Sequence, residues 1–332
     1  MGWTPLHATV HQTLRQRQLL SKGDAVLLAF SAGQDSLCLL QILRDLQPKW
    51  GWRLAIAHCD HGWPLDSHLN AAHVAQLAQT WELEHYAVVA PQVLKGEAEG
   101  RHWRYETLTQ LAHQHGFTTV ITAHTASDRA ETLLLNLLRG SGMDGLQALV
   151  WQRSLSASVR LVRPLLAVTR SQTGEFCSQY GLPVWQDMMN QDQTYRRNRV
   201  RLELLPVLKT YNPQVELVLA GTAELLQAET AYLQAQAEEL LRQARIPDHD
   251  LPVGVLTALD CQTLKQSALA LQRRALRLWL TETLHFQPQF EQVEKTIALL
   301  RGNSGDRTDP FVRDIVAEVQ RPWLCLRSLS KP

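Results

Sequence analysis

No C-x-x-C pair occurs among the five cysteines, Cys38, Cys59, Cys177, Cys261 and Cys325, which are scattered and odd in number. That argues against a disulfide framework and against a thiolate-held metal cluster, and fits a reduced, cytoplasmic protein. No apolar run approaches the roughly 20 residues of a membrane span, and the N-terminus lacks a basic region followed by an apolar one, so no membrane anchor or secretory signal is expected. Internal repeats, low-complexity segments and a strong charge imbalance are missing too: the formal net charge is +1. Lysine is scarce. Most of the positive charge is arginine, with one cluster at Arg196, Arg197, Arg199 and Arg201 and another at Arg273, Arg274 and Arg277. Planar cations in patches on a nearly neutral chain suit a partner that carries phosphates. What the chain has is size and apolar content: 332 residues, 45% hydrophobic, enough for two domains with their own cores.

The most informative segment joins an apolar run, Ala25 to Phe30, to a stretch from Leu37 to Leu46 with apolar residues at helical spacing. An unbroken apolar run is what a parallel strand covered on both faces requires. Between them lie Ser31-Ala32-Gly33-Gln34-Asp35-Ser36. A turn there faces a helix N-terminus, where unpaired backbone N–H groups and about half a positive charge collect; small residues let phosphate oxygens approach, and the Ser31 and Ser36 hydroxyls add donors. A carboxylate beside phosphates repels them unless a Mg2+ ion sits between, which gives Asp35 a metal-bridging role. The plain alternative is an ordinary strand-to-helix turn with Asp35 supporting the helix dipole.

Strand candidates at 25–30, 53–59, 84–90, 118–123 and 159–162, and a short one near 183–186, alternate with amphipathic helices. This is the pattern of an α/β fold with a doubly wound parallel sheet, in which ligands sit beyond the carboxyl ends of the strands. The chemistry-bearing residues fall there: 31–36 after the first strand, His58-Cys59-Asp60-His61-Gly62 at the second, Glu97 to Tyr105 after the third, His124 to Glu131 after the fourth. His58, Asp60 and His61 have the residue types of a metal site without its spacing, since neighbouring side chains on an extended segment point opposite ways. The wall of an adenine or phosphate pocket fits better, with a polar strand end as the plain alternative. Asp128 and Glu131, three apart on a helix, project from one face of its first turn, where two carboxylates suit an ammonium group; their spacing also fits a capping box. Arg197 and Arg201 share one helical face and Val200, Leu204 and Leu205 another, giving a basic side and a core side.

Ser31 to Ser36 resembles the S-G-G-x-D-S signature of the PP-loop ATP pyrophosphatases, with Ala32 in place of the first glycine, a change that strains the loop by about 1 kcal/mol if the position needs positive φ. The motifs that follow are similar, in order, to those of the tRNA(Ile)-lysidine synthetases. They are His58 to His61, Glu97-Ala98, Arg101, Arg104-Tyr105, Ala123-His124, Asp128, Glu131-Thr132, Arg139-Gly140-Ser141-Gly142, Gly145-Leu146, Arg163-Pro164-Leu165-Leu166, Asp187, Asn190, and Tyr195 to Pro206. Together they cover roughly the first 210 residues. Met189 before Asn190, Glu99 and Pro64 depart from the family pattern.

The resemblance implies a ligase that uses ATP and Mg2+ to adenylate the wobble cytidine of a tRNA(Ile) with a CAU anticodon and then lets free L-lysine displace AMP, changing codon specificity from AUG to AUA. It implies catalytic roles for Asp35, His124, Asp128 and Glu131, and ATP binding by Ser31, Ala32, Gly33, Gln34, Asp35, Ser36, His58 and Asp60. Lysine falls to Asp128, Glu131 and Arg101. The phosphates of tRNA fall to Arg104, Arg139, Arg197, Arg199, Arg201, Arg273, Arg274 and Arg277, and Asp187 and Asn190 join the pocket. A catalytic domain at 1–210, a helical linker at 211–247 and a smaller, mostly helical α+β tRNA-binding domain at 248–332 are expected, the last with helices near 262–284 and 289–301 and strands near 312–319 and 322–327. The length matches the family's short form, and a homodimer is one open oligomeric state. Two rivals remain: a PP-loop tRNA sulfurtransferase, which commonly uses cysteine pairs, and a non-catalytic adenine-nucleotide module on the same sheet.

Overall fold

A computed structural model describes residues 2–62, 67–92, 94–186, 194–312 and 314–329, so Pro64, Asp187, Met189 and Asn190 lie outside the described residues. The chain forms two compact units, Met1–Gln227 and Ala228–Pro332. The division falls within a single 30-residue helix, α10 (Val215–Ala244), and not in a loop.

In the first unit β1 (Ala25–Ala29), β2 (Arg53–Asp60), β3 (Glu84–Val89), β4 (Thr119–Ile121), β5 (Gln152–Ser154) and β6 (Arg160–Val162) form one sheet in the order β3-β2-β1-β4-β6-β5. All neighbours are parallel except the edge pair β5 and β6. The doubly wound parallel sheet expected from the apolar runs is therefore present. Side chains alternate across it: Val26 and Leu28 face a core shared with α1 (Pro5–Gln16), α2 (Gln34–Trp50), α3 (Ser67–Thr80) and α7 (Arg170–Gln179), while Leu27 faces the core made with α4 (Glu97–His115). Burial on both faces is why these strands read as continuous apolar runs.

The expected strand at 183–186 is not one. Pro183 has no N–H to give a ladder, and the segment instead sends the Trp185 N–H to the Ala32 carbonyl at 3.0 Å, so it braces the loop after β1. Ala32 has φ of 56° and is fully buried. The position does need the left-handed region, and the roughly 1 kcal/mol this costs alanine is offset by about 0.8 kcal/mol from its buried methyl. The two terms nearly cancel, which makes the departure from glycine tolerable.

The second unit has a three-stranded antiparallel sheet, β7 (Val255–Asp260), β9 (Trp323–Ser328) and β8 (Ile315–Gln320) in that order. Its core joins Ala237, Leu240, Leu241 and Ala244 at the end of α10 to α11 (Cys261–Lys265), α12 (Leu269–Leu284) and α13 (Phe290–Leu300), around the fully buried Trp279. Among the described residues no helix is long and apolar enough to cross a membrane.

What matters for the site is the order at the centre of the large sheet. β1 and β4 are adjacent although β2 and β3 intervene in sequence, so the chain winds outward in both directions from this pair. That is the topological switch point, where a crevice opens beyond the strand ends.

Candidate active site

The crevice holds a cavity of about 480 Å3. One wall is the loop after β1, where α2 starts at Gly33 with no side chain capping its first turn. Ser31 and Ser36 stabilise the loop from within: Ser31 Oγ accepts from the Gly33 N–H at 3.3 Å, and Ser36 Oγ donates to the Gly33 carbonyl at 2.9 Å. A Cβ at Gly33 would come within 3.3 Å of Ser31 Oγ, so glycine keeps the cradle open. An uncapped helix N-terminus lined by small residues fits a phosphate group.

Asp35 follows on the first turn of α2 and is fixed by residues the sequence reading passed over. Thr173 Oγ1, fully buried on α7, donates to Asp35 Oδ1 at 2.5 Å and accepts from Gln34 Nε2 at 2.8 Å. Gln34 Nε2 also donates to the Arg170 carbonyl at 2.6 Å, while Arg170 Nη1 stands 3.6 Å from the other oxygen, Asp35 Oδ2. Gly174 makes room, since a Cβ there would come within 3.1 Å of the Gln34 side chain. The Arg170 N–H donates to Ser127 Oγ at 3.0 Å, tying the same helix start to α5 (Ala126–Leu138). Burial pushes the Asp35 carboxyl up and Arg170 opposes that shift. One carboxylate oxygen is thus anchored by Thr173, while the other, 3.6 Å from Arg170 and beyond hydrogen-bond reach of it, is left for a metal ion. The visible signal in sequence is the Thr169/Gln172 capping box that starts α7.

On the next strand, His58 Nδ1 meets the Phe30 carbonyl at 3.0 Å; a carbonyl only accepts, so Nδ1 carries a proton and donates it. Asp60 Oδ1 accepts from the Gly62 N–H at 2.8 Å. Both His58 and Asp60 line the cavity. After β4, His124 Nδ1 lies 2.9 Å from Thr122 Oγ1. Burial holds the His124 imidazole well below its ordinary range; Asp128 works against this, and Arg163, Arg104 and Arg197 reinforce it.

Asp128 and Glu131 sit on α5 as the spacing required, but the capping box is Thr125 with Asp128, not Asp128 with Glu131. Glu131 is 1% exposed. Arg201 binds it in a two-pronged pair, Nε to Oε1 at 2.6 Å and Nη2 to Oε2 at 3.0 Å, while Arg197 reaches Glu131 Oε2 with Nε at 2.9 Å and Asp128 Oδ1 with Nη2 at 2.7 Å. Burial alone would raise the Asp128 carboxyl; the Arg197 guanidinium, His124 and the backbone and hydroxyl hydrogen bonds from Thr125 together outweigh it and hold the group far below the usual carboxylate range. The arginines come from α8 (Arg196–Arg199) and a single wider turn, Val200–Leu204, that leads into α9 (Leu205–Tyr211). Pro206 has no N–H for the Leu202 carbonyl, and the Leu205 N–H bonds five residues back to Val200, so the proline accounts for the wider turn. Val200 and Leu205 pack on Leu134 of α5, which gives the helix its core side.

The remaining expected cations are placed as follows. Arg104 lines the cavity, and Arg101 lies one turn earlier on α4. Arg139 is the exposed end of α5, ahead of the short α6 (Met143–Leu146), and Arg199 is exposed and 3.4 Å from Glu203. The open basic face expected on α12 needs correction: Arg274 is buried and donates to Gln234 at 3.1 Å, Arg273 pairs with Glu294 at 2.7 Å, and Arg277 is half-buried.

A phosphate cradle at the switch point of this sheet defines a PP-loop domain, and the family model for that domain matches residues 6–208. The chain is 48% identical over 336 residues to the tRNA(Ile)-lysidine synthase of Nostoc sp., covering 99% of this chain and 98% of the relative. It is 45% identical to that of Synechocystis sp., with 98% of each covered, and 35% identical to the chloroplastic enzyme of Zygnema circumcarinatum, covering 92% of this chain and 81% of the relative. Among solved structures, the U34-tRNA thiolase NcsA of Methanococcus maripaludis shares the fold, with a TM-score of 0.57 at 13% identity over 67% of this chain and 78% of that one. The chain belongs to the tRNA(Ile)-lysidine synthase family.

The shifts at His124 and Asp128 contribute to the response to acid. Both groups are depressed in the folded state, so the stability they contribute is complete above their ordinary values and is lost as the pH falls below them. Urea unfolding is expected to weaken below about pH 6.5 through His124 and again below about pH 4 through Asp128. A His124→Asn protein should lose up to about 1.4 kcal/mol per pH unit of the first slope, and an unchanged slope would contradict the assignment.

Proposed function

We propose that this chain ligates free L-lysine to the wobble cytidine of a tRNA(Ile) with a CAU anticodon, using ATP and forming an adenylated cytidine on the way. The observation that carries this reading is the meeting, in one cavity, of an uncapped phosphate cradle and its anchored Asp35 with a neutral His124 and the Asp128 carboxylate. The near full-length identity to enzymes named for lysidine formation supports it.

Magnesium-ATP, when bound, supplies an electrophilic α-phosphorus and pyrophosphate as its leaving group. The N–H groups of the Ser31 to Ser36 loop would hold the charge that develops on the pyrophosphate, and the Asp35 oxygen not bound by Thr173 would hold Mg2+. His58 Nε2 and Asp60 form the wall for adenosine. His124 stays neutral, which suits orienting the base by a hydrogen bond better than storing a proton. The base must leave its stack to enter the cavity, a small cost for an anticodon that is already single stranded. Its carbonyl oxygen takes the adenylyl group; the amine of lysine then attacks the carbonyl carbon, AMP leaves with that oxygen, and a C–N bond remains. Asp128 faces the lysine ammonium, with the half-exposed Glu97 at the mouth of the cavity adding negative charge. Glu131, enclosed by Arg197 and Arg201, works through them by holding the Asp128 side of the pocket in place. We place the reaction in the cytoplasm, with tRNA phosphates met by exposed arginines such as Arg139 and Arg199.

Labelled lysine should enter CAU-anticodon tRNA(Ile) in the presence of Mg-ATP, and should enter neither a methionine tRNA nor tRNA(Ile) incubated with an Asp35→Ala protein. Cleavage of ATP to AMP without incorporation would point to another base modification. Thr173→Val should raise the Mg2+ concentration needed for half-maximal AMP formation several-fold, and Thr173→Ser should restore it, because the serine hydroxyl can still hold Asp35. A Mg2+ requirement equal to that of the parent protein in both variants would remove Thr173 from the metal-positioning role.

A further inference from the structure

Beside the cavity, three guanidinium groups converge on one phenol ring. Arg101 and Arg104 of α4 lie 5.4 and 5.6 Å from the centre of the Tyr105 ring, and Arg153 of β5 lies 4.6 Å from it. A fourth, Arg163, follows β6, is 1% exposed and donates from Nη1 to the Val150 carbonyl at 2.6 Å. The Tyr105 hydroxyl and the Nε atoms of Arg104 and Arg163 are buried and complete no ordinary hydrogen bond. Among the described residues no carboxylate forms an ion pair with any of these four arginines. Other deeply buried arginines of this unit are neutralised: Arg129 by Glu224 at 2.8 Å, Arg197 and Arg201 by Asp128 and Glu131.

Four cations gathered without an anion repel one another, and partial burial makes the repulsion worse. The field they create is visible on the phenol: burial raises the Tyr105 hydroxyl, yet Arg101, Arg163 and Arg104 overcome it and bring the group down to about 8. The group is built for an anion from outside the chain. Its layout says which kind. Arg104 lies on the cavity wall, whereas Arg153 is exposed on the edge strand, so positive charge runs from the reacting nucleotide out to the surface. A single carboxylate would use one end of such a track; a phosphodiester chain follows its length, and guanidinium groups match phosphate oxygens in pairs.

We propose that Arg101 and Arg153, grouped with Arg104 around Tyr105 and backed by the buried charge of Arg163, bind the RNA phosphates that flank the nucleotide held in the cavity. The site rests on the reading of the substrate as tRNA, and gives it an entry path between α4 and the β5 edge.

The test is equilibrium binding of CAU-anticodon tRNA(Ile) to the full chain across a salt series, with KM values for tRNA, lysine and ATP, for the parent protein, Arg153→Ala and Arg153→Lys. Arg153 is exposed on a three-residue edge strand, so its replacement removes a contact with the Tyr105 ring and no buried side chain. Arg153→Ala should weaken tRNA binding about three- to tenfold and reduce the slope of log affinity against log salt by about 0.7 to 0.9, with the KM values for lysine and ATP unchanged and Arg153→Lys recovering most of the slope. An unchanged salt slope would overturn the site. A raised KM for lysine with intact tRNA binding would overturn it as well, by assigning the arginines to the amino-acid carboxylate. If the parent protein binds no tRNA, the proposed function fails together with this site, whereas tight parent binding with an unaltered variant fails the site alone.

Discussion

The structure around the cavity depends on one buried neutralisation, the pairing of Glu131 and Asp128 with Arg201 and Arg197. Glu131 is almost wholly out of solvent, and a lone carboxylate there would carry a desolvation cost of several kcal/mol. Two guanidinium groups at 2.6 to 3.0 Å answer that charge, and the two together leave a positive charge that Asp128 answers in turn. The four charges sum to zero. They also join α5 to α8, elements about seventy residues apart, so the helix that starts beneath His124 is held to the helix that closes the pocket. Association of this kind adds little net stability compared with apolar packing, but losing one member is costly, which makes the arrangement unique more than strong.

From that fixed centre the rest of the site can be traced. α5 is tied through Ser127 to the start of α7, and α7 reaches back through Thr173 and Arg170 to Asp35 and Gln34 on the phosphate loop. A short path of hydrogen bonds therefore connects the cradle for pyrophosphate with the carboxylates facing lysine. The exceptions to ordinary local rules gather along it: an alanine at φ of 56°, a helix start without a cap, a widened turn ahead of Pro206, and arginines around Tyr105 without a carboxylate. Clustering of such exceptions is what a site shaped for ligands produces, since each is a cost that packing elsewhere must offset.

Much of this was legible in the sequence, and the boundary is physical. The central strands were plain because burial on both faces demands continuous apolar runs, and the loop was plain because few residue types let a phosphate approach a helix start. The short antiparallel β5 gave no signal in Gln152-Arg153-Ser154, since three exposed residues on an edge need no apolar pattern. The segment at 183–186 looked like a strand because its composition is apolar, and only the fold reveals that its Trp185 N–H is directed at a loop. Arginine was the least legible residue. Spacing put Arg197 and Arg201 on one face, yet whether a guanidinium group meets a phosphate, a carboxylate or nothing depends on what tertiary structure places opposite it. Thus Arg197 and Arg201 meet acids, Arg273 meets Glu294, Arg274 is buried against Gln234, and Arg153, unremarkable in sequence, stands in a group of arginines that meets no carboxylate among the described residues.

The central claim is that Glu131 and Arg201 form one energetic unit. A double-mutant cycle of Glu131→Leu and Arg201→Met, read by urea unfolding at neutral pH, tests it most directly. Each single replacement strands a buried charge and should cost about 3 to 5 kcal/mol, while the double replacement leaves the neutral Asp128–Arg197 pair and should cost much less than the sum, with a coupling of at least about 2 kcal/mol. Additive losses would contradict the account and return Arg201 to the role of an independent surface cation.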